Sequence, residues 1–189
     1  MRSPDNFIVK PIGGKRYDNT TNIAGVELIT SVSEEDHLAS NRFAEVIELP
    51  IGYKGDIEIG ATLIVHHNVM KFYNDMYGKR KNSGSFLKDD LFIVNEEQFF
   101  GYNNGGGWET QGRYCFVKPI PVIDNLSIKK HIDEEPLIGV IKYSNEYLES
   151  KGVVAGDKVC FKPESEYPFI IDGEKLYRMF DHAIVIKLN

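Results

Sequence analysis

Phe7-Ile8-Val9-Lys10-Pro11-Ile12 returns in the second half of the chain as Cys115-Phe116-Val117-Lys118-Pro119-Ile120, with Val9 matching Val117. Each copy is a short β-branched and aromatic run broken by one proline. Proline cannot donate to a strand ladder, so such a run is expected at a sheet edge or near the end of a strand. Working outward, further segments recur in the same order. Glu45-Val46-Ile47 corresponds to Gly139-Val140-Ile141, and Ile59-Gly60-Ala61-Thr62-Leu63-Ile64-Val65 corresponds to Ala155-Gly156-Asp157-Lys158-Val159-Cys160-Phe161. Each half closes on two apolar runs separated by a short turn, Leu91-Phe92-Ile93-Val94 with Gln98-Phe99-Phe100-Gly101-Tyr102, and Lys175-Leu176-Tyr177-Arg178-Met179 with Ala183-Ile184-Val185-Ile186. Four segments recurring in order imply a tandem duplication.

The spacing between copies changes along the chain. It is wider at the first run (Val9 to Val117) than at the second (Ile47 to Ile141), so the first copy's opening connection is the longer of the two. That connection, about 13–42, has weak periodicity, many small or polar residues and one apolar island, Ala24-Gly25-Val26-Glu27-Leu28-Ile29-Thr30. A connection so long inside a compact domain is usually functional or disordered. The counterpart in the second copy, between Ile120 and Gly139, carries Pro121 and Pro136 and no such island. Between the copies, Asn103-Asn104-Gly105-Gly106-Gly107 breaks the pattern, because consecutive glycines lose much backbone entropy on ordering. The expected domains are therefore 1–103, a linker at 104–112, and 113–189. No window sustains a helical stripe with capping residues at its ends. Asn145-Glu146-Tyr147-Leu148-Glu149-Ser150 allows one helical turn, and helix is expected in less than about a fifth of an all-β chain, below the usual ~30–35%.

Composition narrows the function. With 189 residues, 42% hydrophobic and 26% charged, the chain reads as an ordinary globular protein. Its 22 basic and 28 acidic residues give a net charge of −6, which argues against nucleic acid as the main partner. Lys79-Arg80-Lys81 is a local basic exception that reads as a solvated loop. No uncharged apolar run approaches the ~20 residues that a membrane span needs. The opening residues, Met1-Arg2-Ser3-Pro4-Asp5-Asn6, lack the apolar stretch of a secretory signal. Cys115 and Cys160 sit inside apolar runs without a CxxC pair, which reads as buried small hydrophobes in a reducing compartment, the cytoplasm.

The order of these segments resembles the GroES-type co-chaperonin family. The resemblance is carried by Phe7-Ile8-Val9-Lys10-Pro11, the island Ala24 to Thr30, Ala44-Glu45-Val46-Ile47, the run Ile59 to Val65, and Phe92-Ile93-Val94-Asn95-Glu96-Glu97-Gln98-Phe99-Phe100. The second copy is similar to the same core, best at Ala155-Gly156-Asp157-Lys158-Val159. The resemblance implies two tandem, partly open β-barrels, the first with a long mobile loop. It implies a homo-oligomeric ring, commonly of seven, that caps a GroEL-type chaperonin and assists protein folding. The chaperonin-binding positions it implies are Gly25, Val26, Glu27, Leu28 and Ile29. Glu27 departs from the family's apolar middle residue. Side chains alternate along an extended segment, so Val26 and Leu28 can face a groove while Glu27 faces solvent. The implied subunit-interface edges are the first and last strands, represented by Phe7, Ile8, Val9, Ile184, Val185 and Ile186. The usage of asparagine, tyrosine and lysine is similar to that of proteins from a phage or an AT-rich bacterium, which would place the chain in a cytoplasm, the host's if it is phage-encoded. A GroES-like barrel also occurs in medium-chain alcohol dehydrogenases, but those need a βαβ nucleotide-binding half that this sequence lacks.

Other chemistry has weaker support. His66 and His67 are adjacent on a strand and point to opposite faces, so they do not form a chelating pair; His37, His131 and His182 are scattered. No Ser-His-Asp signature, P-loop or dinucleotide-binding motif is present. Asp89-Asp90 and Glu96-Glu97 read as solvated turns, Trp108 as packing near the junction, and Tyr53 and Tyr73 as surface aromatics. The expectation is a binding protein with no catalytic residues, metal or cofactor. The alternative is a virion or assembly-structural ring protein that keeps this fold and no longer binds a chaperonin.

Overall fold

A computed structural model describes residues 1–17, 20–23, 26–29, 39–122 and 134–188, with 20–23 and 26–29 described by backbone alone. The chain is all-β, with 48% strand and 7% helix. It divides into two units, Met1–Gly107 and Trp108–Asn189. The sheets are antiparallel, and none closes on itself among the described residues.

The first unit contains β1 (Phe7–Pro11), β2 (Thr20–Ile23), β3 (Val26–Ile29), β4 (Phe43–Glu48), β5 (Thr62–Val65), β6 (Phe72–Asn74), β7 (Arg80–Asn82), β8 (Phe86–Lys88), β9 (Leu91–Val94) and β10 (Phe99–Asn103). Within this unit the main sheet runs β10-β5-β4-β1-β9-β8, while β2-β3 and β6-β7 form separate two-stranded sheets. The second unit contains β11 (Glu109–Thr110), β12 (Tyr114–Pro121), β13 (Glu134–Tyr143), α1 (Glu146–Ser150), β14 (Lys158–Phe161), β15 (Tyr167–Ile171), β16 (Glu174–Phe180) and β17 (Ile184–Lys187). Its sheet runs β17-β14-β13-β12-β16-β15. Setting aside the two separate hairpins and the short β11, both units place their strands in one order: sixth, third, second, first, fifth, fourth.

The match extends to single hydrogen-bond registers. Val9 faces Val46 and Pro11 faces Ala44, as Val117 faces Ile141 and Pro119 faces Gly139. A bulge interrupts the first ladder between Ile8 and Val9, and again between Phe116 and Val117. The last two strands skip one residue at Phe100 and one at Val185. Gly60 N–H donates to the Val46 carbonyl at 2.8 Å, as Gly156 N–H donates to Ile141 at 2.8 Å. Both glycines hold positive φ, +91° and +93°, a region that side chains with Cβ rarely adopt. These registers correct the sequence alignment by one residue: the counterpart of Ile141 is Val46, and Ile47 falls opposite Lys142. The first unit keeps the longer opening connection, with its excess smaller by that one residue. A second excess lies between the third and fifth strands, where the first unit carries β6 and β7.

The two cores use equivalent positions. Phe7, Val9, Val46, Leu63, Val65 and Val94 lie in the first cluster, and Cys115, Val117, Ile141, Val159, Phe161 and Met179 occupy the same places in the second. Phe7 with Val65 becomes Cys115 with Phe161, so bulk lost at one position returns at another, the kind of exchange that cores tolerate best. Burial pushes the Cys115 thiol up to about 12, with the Asp181 charge adding to it. The helical turn forms as expected: the Asn145 side chain caps α1 by accepting from Leu148 N–H at 2.9 Å.

The edge positions need a correction. β1 lies between β4 and β9, and β12 between β13 and β16. Phe7, Ile8 and Val9 are therefore buried mid-sheet residues and offer no open edge. Pro11 is compatible with a central strand because the β1–β9 ladder ends at Val9, two residues before it. Ile184, Val185 and Ile186 do lie on the outermost strand of their sheet, and Val185 and Ile186 are exposed.

Candidate partner-binding site on the first unit

The long opening connection leaves the sheet through a cinched neck. Gly13 and Gly14 turn the chain at positive φ, and Arg16 and Tyr17 follow. On the returning side, Asn41 clasps the departing strand: its Nδ2 donates to the carbonyls of Ile12 (2.9 Å) and Lys15 (2.7 Å). Asn41 N–H donates to the Arg16 carbonyl at 2.9 Å. Tyr17 pairs with Ser40 across the neck, and Ser40 Oγ donates to the His67 carbonyl at 3.0 Å. A shallow cleft of about 290 Å³, lined by Ile12, Gly13, Lys15, Tyr17, Asn41 and Phe43, opens beside it.

Beyond the neck, β2 and β3 pair as an antiparallel hairpin, with Thr20 opposite Ile29 and Ile23 opposite Val26. Val26, Glu27, Leu28 and Ile29 thus form β3, whereas Gly25 lies outside the described residues. Within the connection of about 13–42, expected as a long mobile loop, residues 20–23 and 26–29 are strands. The corresponding part of the second unit, 123–133, also lies outside the described residues.

The neck also supports the β6–β7 hairpin. Tyr17 stacks on Phe72, and its hydroxyl accepts from Phe72 N–H at 2.7 Å. The Arg16 guanidinium lies 4.4 Å from the Phe72 ring centre and 4.8 Å from that of Phe86. It donates to Asn82 Oδ1 at 2.7 Å, and to Asp90 Oδ1 at 2.6 Å through Nη2. Asp90 and Asp89 form the two-residue β8–β9 turn, both at positive φ as a tight hairpin turn demands. One cation therefore ties together the neck, the β6–β7 base and an acidic turn. The two segments that the first unit has in excess share a root.

The sequence reading did not identify Arg16, Tyr17, Asn41, Phe72 or Asn82 at this root. A cation next to an aromatic just after a glycine pair was the available signal. Elsewhere, Trp108 donates its indole N–H to Asp172 Oδ2 at 2.9 Å within the second unit. His66 and His67 follow the end of β5 instead of continuing it, and their rings lie 4.1 Å apart, which corrects the expectation that they point to opposite faces; His66 Nδ1 accepts from Asn68 N–H. Among the described residues, no group of three His, Cys, Asp or Glu side chains is placed to hold a metal. No helix among them is long and apolar enough to cross a membrane. Compared with protein-family models and with curated proteins, the sequence finds no match.

Proposed function

We propose that the chain is a GroES-like co-chaperonin of two tandem modules, which assembles into a homo-oligomeric ring and caps a GroEL-type chaperonin through Gly25, Val26, Glu27, Leu28 and Ile29. The observation that carries this reading is the asymmetry between two otherwise register-matched units. Among the described residues the first unit alone holds a strand pair at this point, β2 with the apolar run of β3, beyond the Tyr17–Ser40 neck and in the segment where the resembled family keeps its binding residues.

The energetics suit a cycling cap. Ordering a segment on a partner costs roughly 1–2 kcal/mol per residue in backbone entropy. Burying Val26 and Leu28 contributes about 1.5–3 kcal/mol each. A single copy is a weak ligand, and a ring of copies gains strength through effective concentration. The pairing of β3 with β2 reduces the ordering cost, because part of the segment is already fixed. The same pairing favours a second reading, an assembly-structural protein in which the hairpin is a fixed ornament.

Co-purification with a GroEL-type chaperonin plus nucleotide separates the two. A co-chaperonin is retained by the chaperonin, and Val26→Ser with Leu28→Ser abolishes retention without lowering the melting temperature. Absence of retention by the unaltered chain, or retention unaffected by the double substitution, overturns the proposal.

A further inference from the structure

The β6–β7 hairpin ends in a turn held by its own first residue. Asp75 Oδ1 accepts from the N–H groups of Tyr77 (3.0 Å) and Lys79 (2.9 Å). Asp75 N–H donates to the Lys79 carbonyl at 3.0 Å, and Gly78 N–H returns to the Asp75 carbonyl at 2.8 Å. The turn presents Met76 and Tyr77 at 88% and 87% exposure, with Tyr73 on the adjoining strand at 47%. Met76 and Tyr77 are neighbours at the tip of the turn, and with Tyr73 they make up the exposed large apolar side chains of this hairpin. The flanks are basic: residues 71–82 hold Lys71, Lys79, Arg80 and Lys81 against Asp75, a charge of +3 in a chain of −6. The remainder of the chain therefore carries −9.

A complementary surface lies on the same unit. The connection from β4 to β5 exposes Ile51 at 62% and Ile59 at 57%. Asp56, Glu58, Glu96 and Glu97 are exposed as well, with Lys54 as the local cation in 50–60. Burial of Tyr53 pushes its hydroxyl up, and the Glu96 and Asp56 carboxylates add to that shift. That ring packs edge-on against Phe7 of the core at 5.0 Å, and Gly55 leaves room for its hydroxyl, since a Cβ there would lie 2.3 Å away. Residues 50–60 and 96–97 together carry a charge of −3, opposite in sign to the +3 of the turn and its flanks, and this charge complementarity selects a second copy as the occupant.

We infer that the Met76–Tyr77 turn of one copy docks on the Ile51, Asp56, Glu58 and Ile59 face of a second copy, making a head-to-tail contact between first units. The two surfaces differ and both lie on one chain, so the contact is heterologous and propagates to a ring or filament. It gives the assembly proposed above an interface, in place of the edge role that the buried Phe7, Ile8 and Val9 cannot fill, and it does not depend on chaperonin binding.

Sedimentation velocity of the full chain, with no chaperonin present, tests it. The unaltered chain is expected to assemble at micromolar concentration. A tip variant (Met76→Ser, Tyr77→Ser) and a face variant (Ile51→Ser, Ile59→Ser) should each associate at least ~tenfold more weakly, as loss of central apolar anchors does. Both alter exposed side chains, so each should melt with the unaltered chain. Mixing the two variants should give a one-to-one pair and nothing larger, because one intact junction remains between a tip from one copy and a face from the other. Lys79→Glu should also weaken assembly, and Glu58→Lys in the same chain should restore it. A monomer at 100 µM (about a hundredfold above the expected range), a tip variant that assembles like the unaltered chain, or a mixture that fails to pair would each overturn the inference. A monomer at that concentration also removes the ring on which the capping proposal relies, whereas an assembly that the tip and face substitutions leave intact overturns this contact alone, and failure to bind a chaperonin leaves this contact standing.

Discussion

The two units share a strand order, two bulges and a glycine turn, yet they are stabilised and decorated differently. The first packs a larger cluster that includes Met70, Phe92, Phe99 and Tyr102, and it sends out two hairpins from a common root on Arg16 and Tyr17. Among the described residues the second has a smaller cluster and a buried polar knot, in which fully buried Asp181 accepts from Arg113 (2.6 Å and 3.0 Å) and from Asn145 (3.3 Å). Asp5, Pro50 and Glu96 occupy the equivalent positions of the first unit, so the knot belongs to the second alone. The difference teaches that the shared registers define the fold, and that what each unit adds to them is where function and local stability diverge.

The largest effect expected from breaking this comparison is Arg113→Ala. It leaves the Asp181 carboxylate buried with two hydrogen bonds fewer and its counter-charge gone, which is strongly destabilising for a buried ion. The second unit's melting midpoint should fall by roughly 10 °C or more, an early transition whose hydrogen exchange maps to residues 108–188, while the first unit keeps its protection. Uniform loss across both units would show that the knot is not local.

Gly139→Ala comes next. The equivalent residue of the first unit is Ala44, fully buried and accommodated. At Gly139 a Cβ would meet Val117 Cγ1 at 2.4 Å and the Lys118 carbonyl at 2.8 Å. Overpacking of this kind costs about 1–3 kcal/mol and should shift neighbouring backbone, whereas Ala44→Gly should cost about 1–2 kcal/mol from backbone entropy and one lost buried methyl, with no displacement of its neighbours. Denaturant unfolding of the two variants measures the difference, and equal effects would mean that the matched registers conceal no packing difference.

Acidification should act more gently on the second unit. Hydrogen bonds from Lys118 and Lys142 hold Glu174 down to about 2. Burial would raise Asp181 and Glu134, but Arg113 with Asn145, and Lys175 with Tyr177, outweigh it and hold both low. The Lys187 ammonium and the Val154 N–H hold Asp157 low. Carboxylates depressed in the folded state bind fewer protons than they do unfolded, so their stabilisation is present above the unfolded range and declines as pH falls through the folded values. The midpoint of the second unit's transition should therefore drop between about pH 5 and pH 2, a decline that Glu174→Gln reduces. A midpoint that rises over that window would contradict the ion-pair assignments.

Much of the fold was legible because it rests on alternating apolar runs. The first, second, third and closing strands of each unit were readable from β-branched and aromatic residues between turns, and α1 from its asparagine cap. The one-residue slip at Ile47 and Lys142 was not, because Val46-Ile47 and Val140-Ile141 are both adjacent apolar pairs that match letter for letter in the wrong register, whereas Val46 and Ile141 are the members that face the core. Pro11 suggested an edge, yet a proline beyond the end of a neighbouring ladder sits as easily at a central strand. The β6–β7 hairpin escaped notice because its strands are very short and largely exposed, with no buried face to impose a period of two. The candidate segment 25–29 was legible as an apolar island, but its neck depends on Arg16, Tyr17 and Asn41, which act through main-chain carbonyls, ring faces and a remote aspartate.

The central claim, that the first unit's added segment is what touches a chaperonin, is tested most directly by hydrogen exchange. The full chain is measured alone and with a GroEL-type chaperonin plus nucleotide, and peptides covering 20–29 are compared with those covering 123–133. The account predicts slowed exchange at 20–29 on adding the chaperonin and no change at 123–133; unchanged exchange at 20–29, or protection at 123–133 in its place, would contradict it.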